Sequence, residues 1–177
     1  MYRLCPIIAC LAMLLGCQPS EQANADWTTY RTVDQLLSFE HPDSFEVTRR
    51  SDSPLGVLFA DRWQNVAVSI VVVRGASDME YASSMLQTVV QGAIETGDRQ
   101  IIQVGEASGF RQDYRLRLGT QMKRATAIVL VSERGRVLFD VIYPESAKYA
   151  EVSQRILDSV KFDCVPVNQI VPQQAGL

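Results

Sequence analysis

The sequence predicts one α+β domain: a sandwich in which a largely antiparallel central sheet is flanked by helices on both faces. Three observations predict it. First, residues 55–74 read as two consecutive strands around a polar turn at 61–64, and the second strand is apolar on both sides. Val66, Val68, Ile70 and Val72 share one face, and Ala67, Ser69, Val71 and Val73 the other. Successive strand side chains point to opposite faces, so such a strand needs cover on both. Second, residues 125–131 and 137–143 repeat this two-sided apolar pattern. Third, residues 77–96 and 146–158 carry apolar positions at helical spacing. No internal repeat or linker divides the chain, and its 177 residues allow one modest core.

The N-terminal segment is an export signal by its layout. Arg3 precedes an apolar run over 4–15 that ends in Leu14-Leu15-Gly16-Cys17. That run is shorter than the ~20 apolar residues a membrane span needs. Its ending resembles the lipobox of bacterial lipoprotein precursors, although Leu15 is bulkier than the usual residue there. This assigns residues 1–16 to a signal peptide and makes Cys17 the site of lipid attachment. An ordinary secretory signal cleaved nearby is the alternative. Cys5 and Cys10 would leave with the signal and Cys17 would be blocked as a thioether. Cys164 is then alone, so the exported domain relies on its core rather than on disulfides. Residues 17–29 read as a lipidated terminus and flexible tether, with Trp27 and Tyr30 beginning ordered structure. The domain is expected over 30–163 and a loose tail over 164–177, which holds Pro166 and Pro172.

Within the domain, residues 36–40 read as a first strand, 41–44 as a turn around Pro42 and Asp43, and 45–49 as the returning strand. The first helix is predicted over 77–96. Ser77 and Glu80 are spaced as a capping box, Ala82, Met85, Leu86, Val89, Val90 and Ala93 form the stripe, and Gly97 is its C-terminal stop. Residues 101–104 and 110–118 read as peripheral strands, the second wetted on the side of Asp113, Arg115 and Arg117. A hairpin over 132–136 uses Gly135 for a left-handed turn and joins the strands 125–131 and 137–143. Ser146 is placed to cap the second helix, which buries Tyr149, Val152, Ile156 and Leu157 and pairs Glu151 with Arg155 outside. A short last strand is expected over 160–162.

Little in this pattern is reactive. The one histidine, His41, excludes a His-based metal site or a Ser-His-Asp triad and reads as structural, and no G-x-S-x-G elbow or glycine-rich phosphate loop exists. The net charge of −3 and the lack of a basic run argue against nucleic-acid binding. Cys164 reads as an inert thiol. Asp61, Glu95, Asp98 and Glu133 have no calcium-loop spacing. Arg111, Arg115, Arg117, Lys123 and Arg124 surround Gly119 and form a candidate docking patch for an acidic partner. A charged edge strand protected from aggregation is the competing reading.

Residues 30–162 resemble the PsbP family, in particular its cyanobacterial lipoprotein branch. The similar pieces are Phe39-Glu40-His41-Pro42 with Phe45, Val57-Leu58-Phe59-Ala60-Asp61, Asn65-Val66-Ala67-Val68-Ser69-Ile70 and Tyr114-Arg115-Leu116. Further pieces are Val131-Ser132-Glu133-Arg134-Gly135-Arg136-Val137, Tyr143-Pro144-Glu145 and Asp158-Ser159-Val160-Lys161-Phe162. His41 and Phe45 stand where the family carries Tyr and Trp. The resemblance implies a PsbP-like α-β-α sandwich and a non-catalytic, lipid-anchored accessory or assembly protein on the lumenal side of photosystem II. It implies photosystem II lumenal subunits or assembly intermediates as partners, a monomer facing the thylakoid lumen or periplasm, and at most weak binding of calcium or another divalent cation. A periplasmic lipoprotein of the same fold with a partner unrelated to photosynthesis is the second reading, and an enzyme the third.

Overall fold

The computed structural model describes residues 26–33, 35–52, 55–163 and 165–167. The expected signal peptide, Cys17 with most of the tether, Cys164 and the tail beyond 167 lie outside the described residues.

The chain forms two antiparallel sheets rather than one. The larger has the strands β3 (Glu46–Asp52), β4 (Leu55–Ala60), β5 (Ala67–Arg74), β6 (Glu95–Thr96), β7 (Gln100–Val104), β8 (Ala107–Leu118), β9 (Gln121–Val131) and β10 (Gly135–Pro144). Their order is β3-β4-β5-β10-β9-β8-β6, and β7 also pairs with β8. The smaller has β1 (Trp27–Arg31), β2 (Leu37–Pro42), β11 (Lys161–Phe162) and β12 (Val165–Pro166), in the order β1-β2-β11-β12. Two helices complete the fold: α1 (Met79–Val90) follows β5 and α2 (Ala147–Ser159) follows β10. The predicted strand 36–40 does not join the main sheet because both of its edges are taken. Ser38 is opposite Arg31 on one side and Lys161 on the other.

Strand alternation divides the core into two clusters. Ile128 and Leu130 of β9, with Val137, Phe139 and Val141 of β10 and Val68, Ile70 and Val72 of β5, pack with the small sheet and with Val152, Ile156 and Leu157 of α2. The alternate residues of β9, Ala125, Ala127, Val129 and Val131, pack with Ala82 and Leu86 of α1. Val71 on β5 is only half-buried beside this second cluster, while Ile70 is fully buried in the first.

Several local expectations need correction. The first helix ends at Val90, well short of 96. Beyond it, the open edge of β8 captures the backbone: the N–H groups of Ile94 and Gly97 donate to the carbonyls of Arg115 and Asp113, each at 2.8 Å. Gly97 therefore stops no helix. The cap is Asp78, whose carboxylate accepts from the Tyr81 N–H at 2.9 Å, while Ser77 accepts from Arg136. Gly135 serves close approach rather than a left-handed turn: a Cβ there would lie 2.9 Å from both Leu36 Cδ1 and the Val73 carbonyl oxygen. His41 sits in β2, not in a turn, buried with its ring centroid 4.8 Å from that of Phe59. Arg155 reaches Glu40 and stacks 3.9 Å from the Trp27 ring instead of pairing with Glu151. Strand pairing runs from Trp27, where the sequence expects ordered structure to begin, opposite Pro42, to β12, and Val167 is buried.

Candidate functional site

The β8–β9 hairpin carries the predicted patch, and its register decides which cations meet. Arg115 lies opposite Arg124, Arg111 opposite Ile128, and Arg117 opposite Met122, so these three arginines of β8 and Arg124 share a face. Leu116 lies opposite Lys123, which puts Lys123 on the other face. Lys123 is buried, with its ammonium 3.4 Å from the Asn65 carbonyl oxygen. A five-member positive surface therefore does not exist. Sequence order alone brought Lys123 next to Arg124; the pleat separates them.

The arginines that do share a face are interleaved with acids. Arg115 donates to Glu145 at 2.7 and 3.1 Å and to Glu95 at 2.7 Å. Arg124 reaches the same Glu145 at 3.4 Å, and Arg111 is 4.0 Å from Asp113. Asp113 also accepts from the Thr126 hydroxyl at 2.7 Å. The hydrogen bond from Arg115 holds the Glu145 carboxyl below its usual range. Tyr143, opposite Arg124 on β10, is half-buried here, and burial followed by Asp113 pushes its hydroxyl up. Glu95, Asp113, Arg115, Arg124 and Tyr143 line an open groove of about 260 Å³, which adjoins a second of about 270 Å³ at Glu145 and Ser146. Only Arg117, exposed at the hairpin tip, has no ion pair among those described. Such a face offers alternating hydrogen-bonding charges to a partner.

A second polar cluster was not among the predicted residues. The Tyr114 hydroxyl on β8 lies 2.9 Å from both carboxylate oxygens of Asp140 on β10, beneath α1. Burial pushes the Asp140 carboxyl up to about 7, with the Tyr114 hydrogen bond opposing, and the same burial raises the Tyr114 hydroxyl. Nearby, Gln112 donates to the Gly97 carbonyl at 2.9 Å, and its side-chain oxygen has no partner among the described residues. An aspartate in the middle of the apolar run 137–143 was the available signal. Asp140 is only 6% exposed, and its partner Tyr114 belongs to the second core cluster while also lining the groove.

The candidate cation carboxylates do not converge. Asp61 is occupied by the N–H groups of Asn65 and Val66, and Glu95 by Arg115. Among the described residues, no three His, Cys, Asp or Glu side chains are grouped to hold a metal ion, and no helix is long and apolar enough to cross a membrane.

No protein-family model and no curated protein sequence matches the chain. Solved structures do. The solution structure of cyanobacterial PsbP (CyanoP) from Synechocystis sp. PCC 6803 superposes with a TM-score of 0.56 at 14% identity, covering 84% of this chain and 98% of CyanoP. A crystal structure from Bacteroides thetaiotaomicron gives 0.50 at 11% identity, covering 76% of this chain and 47% of that one. LpqN, involved in cell envelope biogenesis of Mycobacterium tuberculosis, gives 0.46 at 12% identity over 81% of this chain and 92% of LpqN. At these identities the likeness is one of fold. The chain has an α+β, mostly antiparallel, PsbP-like fold.

Proposed function

We propose that this protein is a non-catalytic, lipid-anchored PsbP-like accessory or assembly protein that docks on the lumenal side of photosystem II. The observation that carries the reading is the agreement of fold over nearly the whole of CyanoP. It is supported by the Leu14-Leu15-Gly16-Cys17 ending of the export signal, and by a surface built of interleaved charges. Docking uses the groove face of β8 and β9. Arg117, without an ion pair among the described residues, and Arg111, whose contact with Asp113 is the longest of the group at 4.0 Å, make the electrostatic contribution, because Arg115 and Arg124 engage Glu145 more closely and Lys123 is buried.

Isolation of the tagged mature protein from the membranes of its source tests this. Photosystem II lumenal subunits or assembly intermediates should co-purify in less than one-to-one amounts, and the association should weaken with salt. Arg111→Glu with Arg117→Glu should slow association more than dissociation. A pull-down that returns only proteins unrelated to photosynthesis assigns the protein to the periplasmic reading instead. Cys17→Ser should move the protein into the soluble fraction, and unchanged membrane fractionation with no lipid mass on Cys17 refutes the anchor.

A further inference from the structure

The turn between β4 and β5 presents a tryptophan that the fold does not use. Trp63 is 76% exposed. The turn beneath it is tightly built. Buried Asp61 accepts from the Asn65 and Val66 N–H groups and from the Asn65 side-chain amide at 3.1 Å. The Gln64 N–H donates to the Asp61 carbonyl at 2.8 Å, and the Asp61 N–H to that of Val66 at 3.2 Å. Gln64 takes φ 53°, a left-handed conformation uncommon for a residue other than glycine. A large apolar ring held out on a fixed turn loses little entropy on binding.

Two more features lie at the same end of the large sheet. The β8–β9 hairpin tip brings Leu118, 49% exposed, and Arg117. Lys123 ties that hairpin to the turn through the Asn65 carbonyl. The N-terminal chain also joins the domain here. Trp27 pairs with Pro42, the Asp43 N–H donates to the Asp26 carbonyl at 2.9 Å, and Glu46 pairs with Ala60 immediately before the turn. From Cys17 to Asp26 the chain can span ~30 Å at most.

We propose that this end of the domain is a membrane-contact surface, with the Trp63 indole seated in the headgroup layer of the bilayer that holds the Cys17 lipid. The inference rests on the lipid-anchor reading. An indole combines an apolar body with one N–H donor, which suits the boundary between acyl chains and headgroups. Arg62, 5.4 Å from the Trp63 ring centroid, can reach lipid phosphates, and Leu118 adds apolar contact. Asp26, Asp43 and Glu46 are exposed beside the tether, so the contact depends on the indole more than on anionic lipid. The tether supplies a high effective concentration, so a weak contact suffices to orient the domain.

The test uses the full mature lipidated protein on phosphatidylcholine–phosphatidylglycerol vesicles containing lipids brominated near the headgroup. The chain has two tryptophans, so the difference between wild type and Trp63→Phe isolates the emission of Trp63. That emission should fall roughly twofold on brominated vesicles and shift to the blue, as for an interfacial tryptophan. Protein that floats with the vesicles and carries lipid on Cys17, yet shows unquenched Trp63, overturns the proposal and leaves the anchor standing. If Trp63 is unquenched and Trp63→Ala also loses a protein from the membrane pull-down, the surface belongs to a protein partner. A mature protein without lipid on Cys17 overturns both readings.

Discussion

At the scale of single residues, Asp140 shows how burial rewrites a side chain. Its ordinary pKa of 3.8 becomes about 7 beneath α1. Between those values the folded state keeps a proton that the unfolded chain has released. Stability therefore falls as pH rises from about 4 to about 7, and then levels off. The loss is a few kcal/mol at most, at roughly 1.4 kcal/mol per unit. Asp140→Asn keeps an acceptor for the Tyr114 hydroxyl and removes the titration. The variant should lose this slope and be more stable than wild type at pH 8. Urea titrations at pH 4.5 and 8 measure both, and an unchanged slope would locate the titration elsewhere.

At the scale of elements, the two helices differ in how they begin. Asp78 caps α1 with a side-chain hydrogen bond, whereas Ser146 occupies the cap position of α2 without one. Asp78→Ala should cost about 1 kcal/mol, and Ser146→Ala distinctly less. Thermal unfolding of the two variants side by side checks the order, and equal losses would contradict it. Periodicity found both apolar stripes: Ala82 and Leu86 in α1, and Val152, Ile156 and Leu157 in α2, are buried where spacing put them. It did not find the end of α1, because Ala93 continues the apolar stripe while the backbone of residues 94–97 pairs with β8. It also missed β1 and β12, which have little apolar patterning and gain their order from β2 and β11.

At the scale of the molecule, the small sheet is bound to the large one by aromatic rings. Phe39 of β2 lies edge-on to Phe59 and to Phe139, with centroids 5.1 Å apart in each case, and all three are buried. Phe39→Ala should cost about 3–5 kcal/mol. Because this core spans both sheets, fluorescence and far-ultraviolet circular dichroism should still report one shared unfolding transition. Two separated transitions would mean that the small sheet is an independent unit.

Alternation and helical spacing are local, so the sequence by itself determined the strands 55–60 and 67–74, the hairpin from 125 to 143, the identity of both helix faces and the α+β class. Tertiary structure decided what depends on partners distant in the chain. It gave β2 two edges to share and so made two sheets. It divided Lys123 from Arg115 and Arg124 by the pleat, and surrounded those arginines with Glu95 and Glu145. It also set Asp140 beneath a helix and brought Asp26 and Trp27, the Trp63 turn and the β8–β9 hairpin to one end. Each of these follows from which strands lie side by side, and no window of neighbouring residues encodes that.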